Sequence, residues 1–447
     1  RMLPKVRFQM DYITFQPFSK YYERIQKLRA DNNRSAYSHI VWATSRLTRL
    51  LFWLLGVTAV LLAFLFGIVG GSVACMILVV AIFFQSFFIL YLVHWCGHKH
   101  DLSFDALVKY FASGFCLSMS LALLYETILL IVVGLIPYVA VMIGIANEIG
   151  NGTSPKDPKE LLVKYIHDHV GTVSIFTFIN AFLVAAFVEE LAKYFGYFMV
   201  ETPDLMDPND MEINDNTEDT SRMDDLVLSA SSGRPQQNDT SSLRNPPRSM
   251  VSRGAAITIA MVATATGFAC SENVTYVLYG SRHGFMNGLY VLILRSAFPI
   301  HPFFGALQSI GVVKRDLEKD PKIGLGRIIL PAILLHGSFD FILMLESVLT
   351  YTPIPHDASF PPPITKLKPA DFIGLAIASG VILLFIVYYA VASKKQRLRL
   401  KAMDEQQSDH DNGEDTNDGI EMSATSLVQN GSHGEEVQGA HTEGMNL

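Results

Sequence analysis

Charge is scarce in this chain, and long stretches have none. Of the 447 residues, 17% are Asp, Glu, Lys or Arg and 50% are hydrophobic; the mean hydropathy is +0.29. That balance excludes a string of soluble domains, because the apolar runs are long enough to span a bilayer. Cysteine is also sparse: Cys75, Cys96, Cys116 and Cys270 lie in or beside apolar runs, without paired or zinc-type spacing. A disulfide framework is therefore not expected. The net charge of −7 sits largely in two polar segments, 201–253 and 402–447, and gives no reason to expect nucleic-acid binding. No secretory signal pattern is visible, since the first strongly apolar run starts near Leu50 after a basic segment.

The runs that are present organise the rest into an all-α, polytopic membrane bundle of about eight spans. Residues 1–49, with ten Lys/Arg, read as a basic cytosolic segment. Residues 50–146 read as three spans, Leu50–Val69, Ser72–Val93 and Phe115–Ala146, with an interfacial helix marked by the stripe Phe104, Leu107, Val108 and Phe111. The third run is too long for an upright helix, so a break is expected at Gly134 and Pro137. Residues 147–172 form an outer loop with an acceptor pattern for glycosylation, Asn151-Gly152-Thr153, and a capping box from Asp157 to Glu160. Spans follow at Val173–Val200, Ile257–Gly280, Asn287–Val312, Arg327–Leu349 and Asp371–Ala392. Residues 173–349 form the expected catalytic bundle, interrupted by a disordered cytosolic insertion at 201–253. Residues 350–393 hold a Pro-rich outer loop and the last span, and 394–447 a basic, then acidic, disordered tail. With eight spans both termini and the basic clusters fall in the cytosol, as the positive-inside rule expects.

Against this apolar background the exceptions stand out. Glu189, Glu190 and Lys193 lie within the fourth span, where each charge at mid-bilayer costs about 2.5–3.5 kcal/mol on insertion scales. Glu189 and Lys193 share a helix face at i, i+4, while Glu190 points about 100° away. The next spans carry Glu272-Asn273 one turn after Phe268, then Arg295 and His301-Pro302, then His336 and Asp340 at i, i+4. Imidazole and carboxylate are zinc ligands, and adjacent carboxylates can divide the tasks of holding a metal and accepting a proton. The plain alternative is an ion pair that locks helix packing. His94, Cys96, His98 and His100 at the end of the second span read more simply as an interfacial polar belt. Glu126, in the third span, has no assigned role.

The ordered set Glu189-Glu190-Leu-Ala-Lys193, Gly267-Phe268-Ala-Cys-Ser-Glu272-Asn273, His301-Pro-Phe-Phe-Gly and Leu335-His336-Gly-Ser-Phe-Asp340 resembles the PrsW family of intramembrane metalloproteases. That family is grouped with the type II CAAX prenyl proteases. The resemblance spans roughly 173–349 and implies a peptidase, a zinc metalloendopeptidase that cleaves membrane proteins or peptides within or near the bilayer. Glu189, His301, His336 and Glu272 are the implied zinc ligands, and Glu190 the implied base, although the two glutamates can exchange roles. Asp340 would orient His336, Lys193 would neutralise the carboxylates, and Asn273 or Arg295 would stabilise an oxyanion. Two other readings stay open at this level: a cation- or proton-coupled transporter using the same carboxylates, and a non-proteolytic member that binds membrane partners. An internal membrane is the favoured location.

Overall fold

The computed structural model describes residues 45–96, 101–150, 166, 168–200, 205, 249–349 and 369–417. The amino-terminal basic segment up to residue 44, the glycosylation pattern and capping box, almost all of the 201–253 insertion, the Pro-rich loop, His98 and His100 lie outside them. So does the tail beyond Asn417. Among the described residues there is no strand, and eight helical segments are long and apolar enough to cross a membrane.

We number the helices in chain order: α1 (Arg46–Val69), α2 (Ala74–Trp95), α3 (Phe104–Ala112, continuing to Gly150), α4 (Val170–Phe198) and α5 (Met250–Ser281). After these come α6 (Phe285–Ala297), α7 (Ile300–Asp316), α8 (Leu325–Leu349) and α9 (Pro369–Asn417). Helices α6 and α7 together make the sixth span. The backbone between them is extended at Phe298, and Pro299, which has no N–H to continue the ladder, precedes α7. Ser45 caps α1 by accepting from the Thr48 N–H, and Gly71 at φ 62 turns the chain tightly into α2. The chain divides into two compact units, 1–400 and 401–447. In the second, the described residues are helical, with a Lys401–Glu405 pair one turn apart.

Three expectations are corrected here. The Phe104–Phe111 stripe is not a separate interfacial helix: it is the first part of α3, buried throughout Asp105–Ala112 and packed on α5. A helical-period stripe fits a protein neighbour as well as a headgroup layer, and a buried Asp105–Lys109 ion pair removes the charge that would have drawn it to the surface. Nor does α3 break at Gly134 and Pro137, since helix continues from Met119 to Gly150. Prolines are tolerated in membrane helices when the freed backbone groups are satisfied locally. The final helix likewise runs past 393 to Asn417, through a Lys-, Arg-, Gln- and Glu-rich stretch of good helix formers.

The centre of the bundle is α5. Within its apolar window 78% is buried, against 11% for α1. Lipid tails are as apolar as leucine, so membrane helices associate by close packing instead of by expulsion from water. Gly267 shows how: a Cβ there would stand 2.0 Å from the Phe111 carbonyl oxygen, and one at Gly114 would stand 1.8 Å from that of Thr264. The α3–α5 crossing is thus backbone against backbone. Around it, Met119, Ala122, Val188, Ala192 and Phe268 form one apolar cluster from α3, α4 and α5. Phe304, Leu307, Ala332, Leu335 and Ile382 form a second from α7, α8 and α9. The polar residues of α4, α5, α7 and α8 lie between these two clusters.

A candidate active site in the bundle interior

Helix α4 changes its winding immediately before the glutamates. Asn180–Ala186 is π-helical, and regular α-helix resumes at Phe187–Phe198. Such wide turns often accompany functional positions because they rotate the next turns of the helix. In α4 those next turns carry Glu189, Glu190 and Lys193, all buried, with Glu190 fully inaccessible.

Lys193 Nζ is the hub. It lies 2.6 Å from Glu190 Oε1, 3.2 Å from Glu189 Oε2 and 2.9 Å from His301 Nδ1. The rings of Phe268 and Phe304 flank it, with centroids 4.3 and 5.2 Å away. An ammonium donates only, so His301 Nδ1 accepts and the ring proton sits on Nε2. That nitrogen lies 2.7 Å from Glu272 Oε2, which is also 2.7 Å from Arg295 Nη2. Arg295 completes its fork by donating from Nε to Asn273 Oδ1 at 2.6 Å and lies over the Tyr276 ring.

The second histidine is held from the other side. His336 Nδ1 is 2.9 Å from Glu190 Oε1, and its Nε2 is 3.2 Å from Asp340 Oδ2 and 3.8 Å from Glu189 Oε2. Both ring nitrogens therefore face carboxylates. The ring stacks on Phe304, with centroids 4.6 Å apart, and meets His301 edge-on at 5.5 Å.

The structure brings all nine sequence-derived site residues into one connected group, but they are not equivalent. Glu189, Glu272, Asn273, Arg295, His301, His336 and Asp340 line a cavity of about 540 Å³. Glu190 and Lys193 do not. Glu190 is saturated: Oε1 takes Lys193 and His336, and Oε2 accepts from Gln308 Nε2 at 2.7 Å. Gln308 also donates to the Glu190 backbone carbonyl at 3.2 Å.

The donors that converge are Glu189, Glu190 and His301, whose ligand atoms all lie within 4.8 Å of one another. His336 and Glu272, named as ligands from the sequence, stand outside that trio. Glu272 meets His301 through the nitrogen turned away from Lys193, the place of an orienting group. Two more residues escaped assignment. Gln308 lies seven residues after His301, on the same face of α7, and that spacing could have flagged it. Glu126 of α3 lines the same cavity, which gives that isolated carboxylate a location. His94, by contrast, bonds the Leu102 carbonyl at 2.8 Å as part of the local fold.

The comparisons with known proteins bear on part of this group. Residues 248–358 match the family model described as PrsW family intramembrane metalloprotease. That stretch contains Glu272, Asn273, Arg295, His301, His336 and Asp340, while Glu189, Glu190 and Lys193 precede it. Neither the curated proteins nor the solved structures return a match. Residues 248–358, about a quarter of the chain, are thus similar to the PrsW family of intramembrane metalloproteases, and the chain around them holds eight helices long and apolar enough to cross a membrane.

Proposed function

We propose that the protein is a membrane-embedded endopeptidase in which Glu189 activates water against a peptide carbonyl of a membrane-inserted polypeptide. The observation that carries this reading is the difference between the two glutamates. Glu189 faces the cavity, whereas every oxygen of Glu190 is engaged by Lys193, His336 or Gln308. A group that must take a proton from water needs access to that water, which Glu190 lacks. Of the two divisions that the resemblance left open, this favours the exchanged one: Glu189 is the base and Glu190 the anchor.

In the reaction, water oxygen bonds to the carbonyl carbon as Glu189 takes its proton. The carbonyl oxygen becomes an oxyanion, and the Arg295–Asn273 edge of the cavity supplies donors for it. Collapse breaks the C–N bond, and the leaving nitrogen recovers a proton from Glu189 or from His336, whose Nε2 faces the same carboxylate. The products are a new carboxylate and a new amine. Asp340 and Glu190 hold the His336 ring from both ends, and Glu272 does the same for His301.

The donor set also suits zinc. Ligand atoms of Glu189, Glu190 and His301 lie within 4.8 Å of one another, and the Lys193 ammonium bonded to all three supports a place for a cation. Glu189, Glu190 and His301 are the residues that would hold the ion, which would supply Lewis acidity and a water of lowered pKa. Lys193 Nζ is bonded to the same three residues, so an ion held there would take the place of the ammonium. Orientation follows from charge: the end of the bundle formed by Arg46, Lys314 to Lys322 and Lys394 to Arg399 is the cytosolic one, and an internal membrane is the proposed location.

The test reconstitutes purified protein with a single-span model peptide and compares wild type, Glu189→Gln and Glu190→Gln, with zinc measured on each preparation. Cleavage by wild type and loss in Glu189→Gln support the assignment. Full activity in Glu189→Gln sinks it, and full activity in zinc-free protein sinks the metal.

A further inference from the structure

The cavity at Glu189 is not closed. Towards the basic end it meets a larger hollow of about 920 Å³, and the two share Ile89, Pro299 and Pro302 as lining. Towards the opposite end it meets a groove of about 600 Å³ between α3, α4 and α8, sharing Leu130, Asn180, Leu343 and Met344. Through these shared residues the three adjoin one another in a row along the bundle, a trough of three sections with the reactive groups in the middle one. The shared prolines mark where α6 stops and α7 begins, so the interruption of the sixth span lies at the junction of the two hollows.

The two ends differ in chemistry. The groove beyond Met344 is lined by apolar side chains such as Val173, Phe176 and Val348, with Thr177, Asn180 and Ser347 the polar exceptions. In the hollow at the basic end, Ile259, Val262, Phe303 and Tyr389 line the deep part, while the exposed Lys394 and Arg397 stand at the rim. Asp101, the acidic group of that lining, accepts a 2.6 Å hydrogen bond from Ser252 Oγ.

We propose that this trough is the substrate path, and that the preferred substrate is a polypeptide whose apolar membrane segment is followed, at the basic end, by acidic residues. The apolar segment lies in the groove beside α8, the scissile bond reaches Glu189, and the acidic flank meets Lys394 and Arg397. The choice of peptide over lipid comes from adjacency: the basic-rimmed hollow shares walls with the reactive cavity, so an extended occupant that fills both places a bond at Glu189. The catalytic step rests on the peptidase reading above, but the binding mode does not need turnover to be seen.

The experiment uses the full chain in phosphatidylcholine vesicles with a photo-reactive phenylalanine analogue at Phe303 and, separately, at Phe176. Two peptides share an apolar run of about 20 residues and end in Glu-Glu-Asp or Lys-Lys-Arg. The acidic peptide should crosslink at both positions, and at Phe303 it should exceed the basic one by about tenfold, the scale of two exposed charge pairs. The double variant Lys394→Glu/Arg397→Glu, altered only at exposed positions, should invert the preference. Equal labelling by both peptides, or an unchanged preference in the double variant, would overturn the proposal. So would loss of the acidic peptide's crosslink on adding phosphatidylserine, which would assign the hollow to anionic lipid. Charge-selective crosslinking without cleavage would instead remove only the peptidase reading, and cleavage without charge preference only this one.

Discussion

Helices α1 and α5 are both long enough to cross a membrane, and they do opposite things. Most of α1 looks outward, with Trp53, Leu61 and Ile68 exposed, whereas α5 is buried along most of its length. The buried helix is the one rich in Gly, Ala, Ser and Thr, and it carries Glu272 and Asn273. In a bilayer the large apolar side chains belong outside, where lipid meets them, and small or polar residues belong inside, where backbones touch and polar groups find partners. A hydropathy profile ranks α1 the better membrane helix; the fold depends far more on α5.

Substitutions can break or sharpen that contrast. The largest effect belongs to the group the interior protects: Glu189→Gln is expected to lower cleavage by about 10²–10⁴-fold, as loss of a general base does, with thermal unfolding little changed. Next is Gly267→Val in α5, which drives a side chain into the Phe111 carbonyl. Overpacking of that kind costs about 1–3 kcal/mol or more and should lower the unfolding temperature in detergent or prevent insertion. Third is Gln308→Leu, which removes the donor to Glu190 Oε2 at 2.7 Å. An uncompensated charged acceptor costs about 1–3 kcal/mol, and both thermal stability and turnover should fall. The smallest is Gly56→Val in α1, where a Cβ meets nothing within 4 Å. Its unfolding temperature should stay near that of wild type, within the roughly ±0.5 kcal/mol of an ordinary surface change. A large loss there, or none for Gly267→Val, would reverse the assignment of inside and outside.

The same physics explains what can be read from the sequence. Eight apolar runs are conspicuous, and a charge within one is costly enough to point at itself. Glu189, Glu190, Lys193, Glu272, His301 and His336 are therefore all visible, and the structure puts them in one group. Gln308 is harder to see: a neutral amide next to Ser309 carries no such cost, and only its spacing of two turns from His301 marks it until Glu190 is found across the helix interface. The roles of the two glutamates are equally hidden, since adjacent residues look alike until a cavity is open to one and closed to the other. The start of α3 misleads because periodicity reports that one face is apolar, not which neighbour covers it. The trough is illegible too, because Ile89, Pro299 and Met344 come from separate parts of the chain and no local pattern joins them.

The central claim is that the buried Glu/His group of α4, α5, α7 and α8 hydrolyses a peptide bond inside the bundle. The most direct measurement incubates reconstituted wild type and Glu189→Gln with a single-span peptide in ¹⁸O-labelled water and examines the fragments by mass spectrometry. The account predicts that wild type yields a fragment whose new terminal carboxylate carries the label, and that Glu189→Gln yields none. Labelled fragments formed equally by both proteins, or no cleavage by wild type of a peptide that crosslinks within the trough, would contradict it.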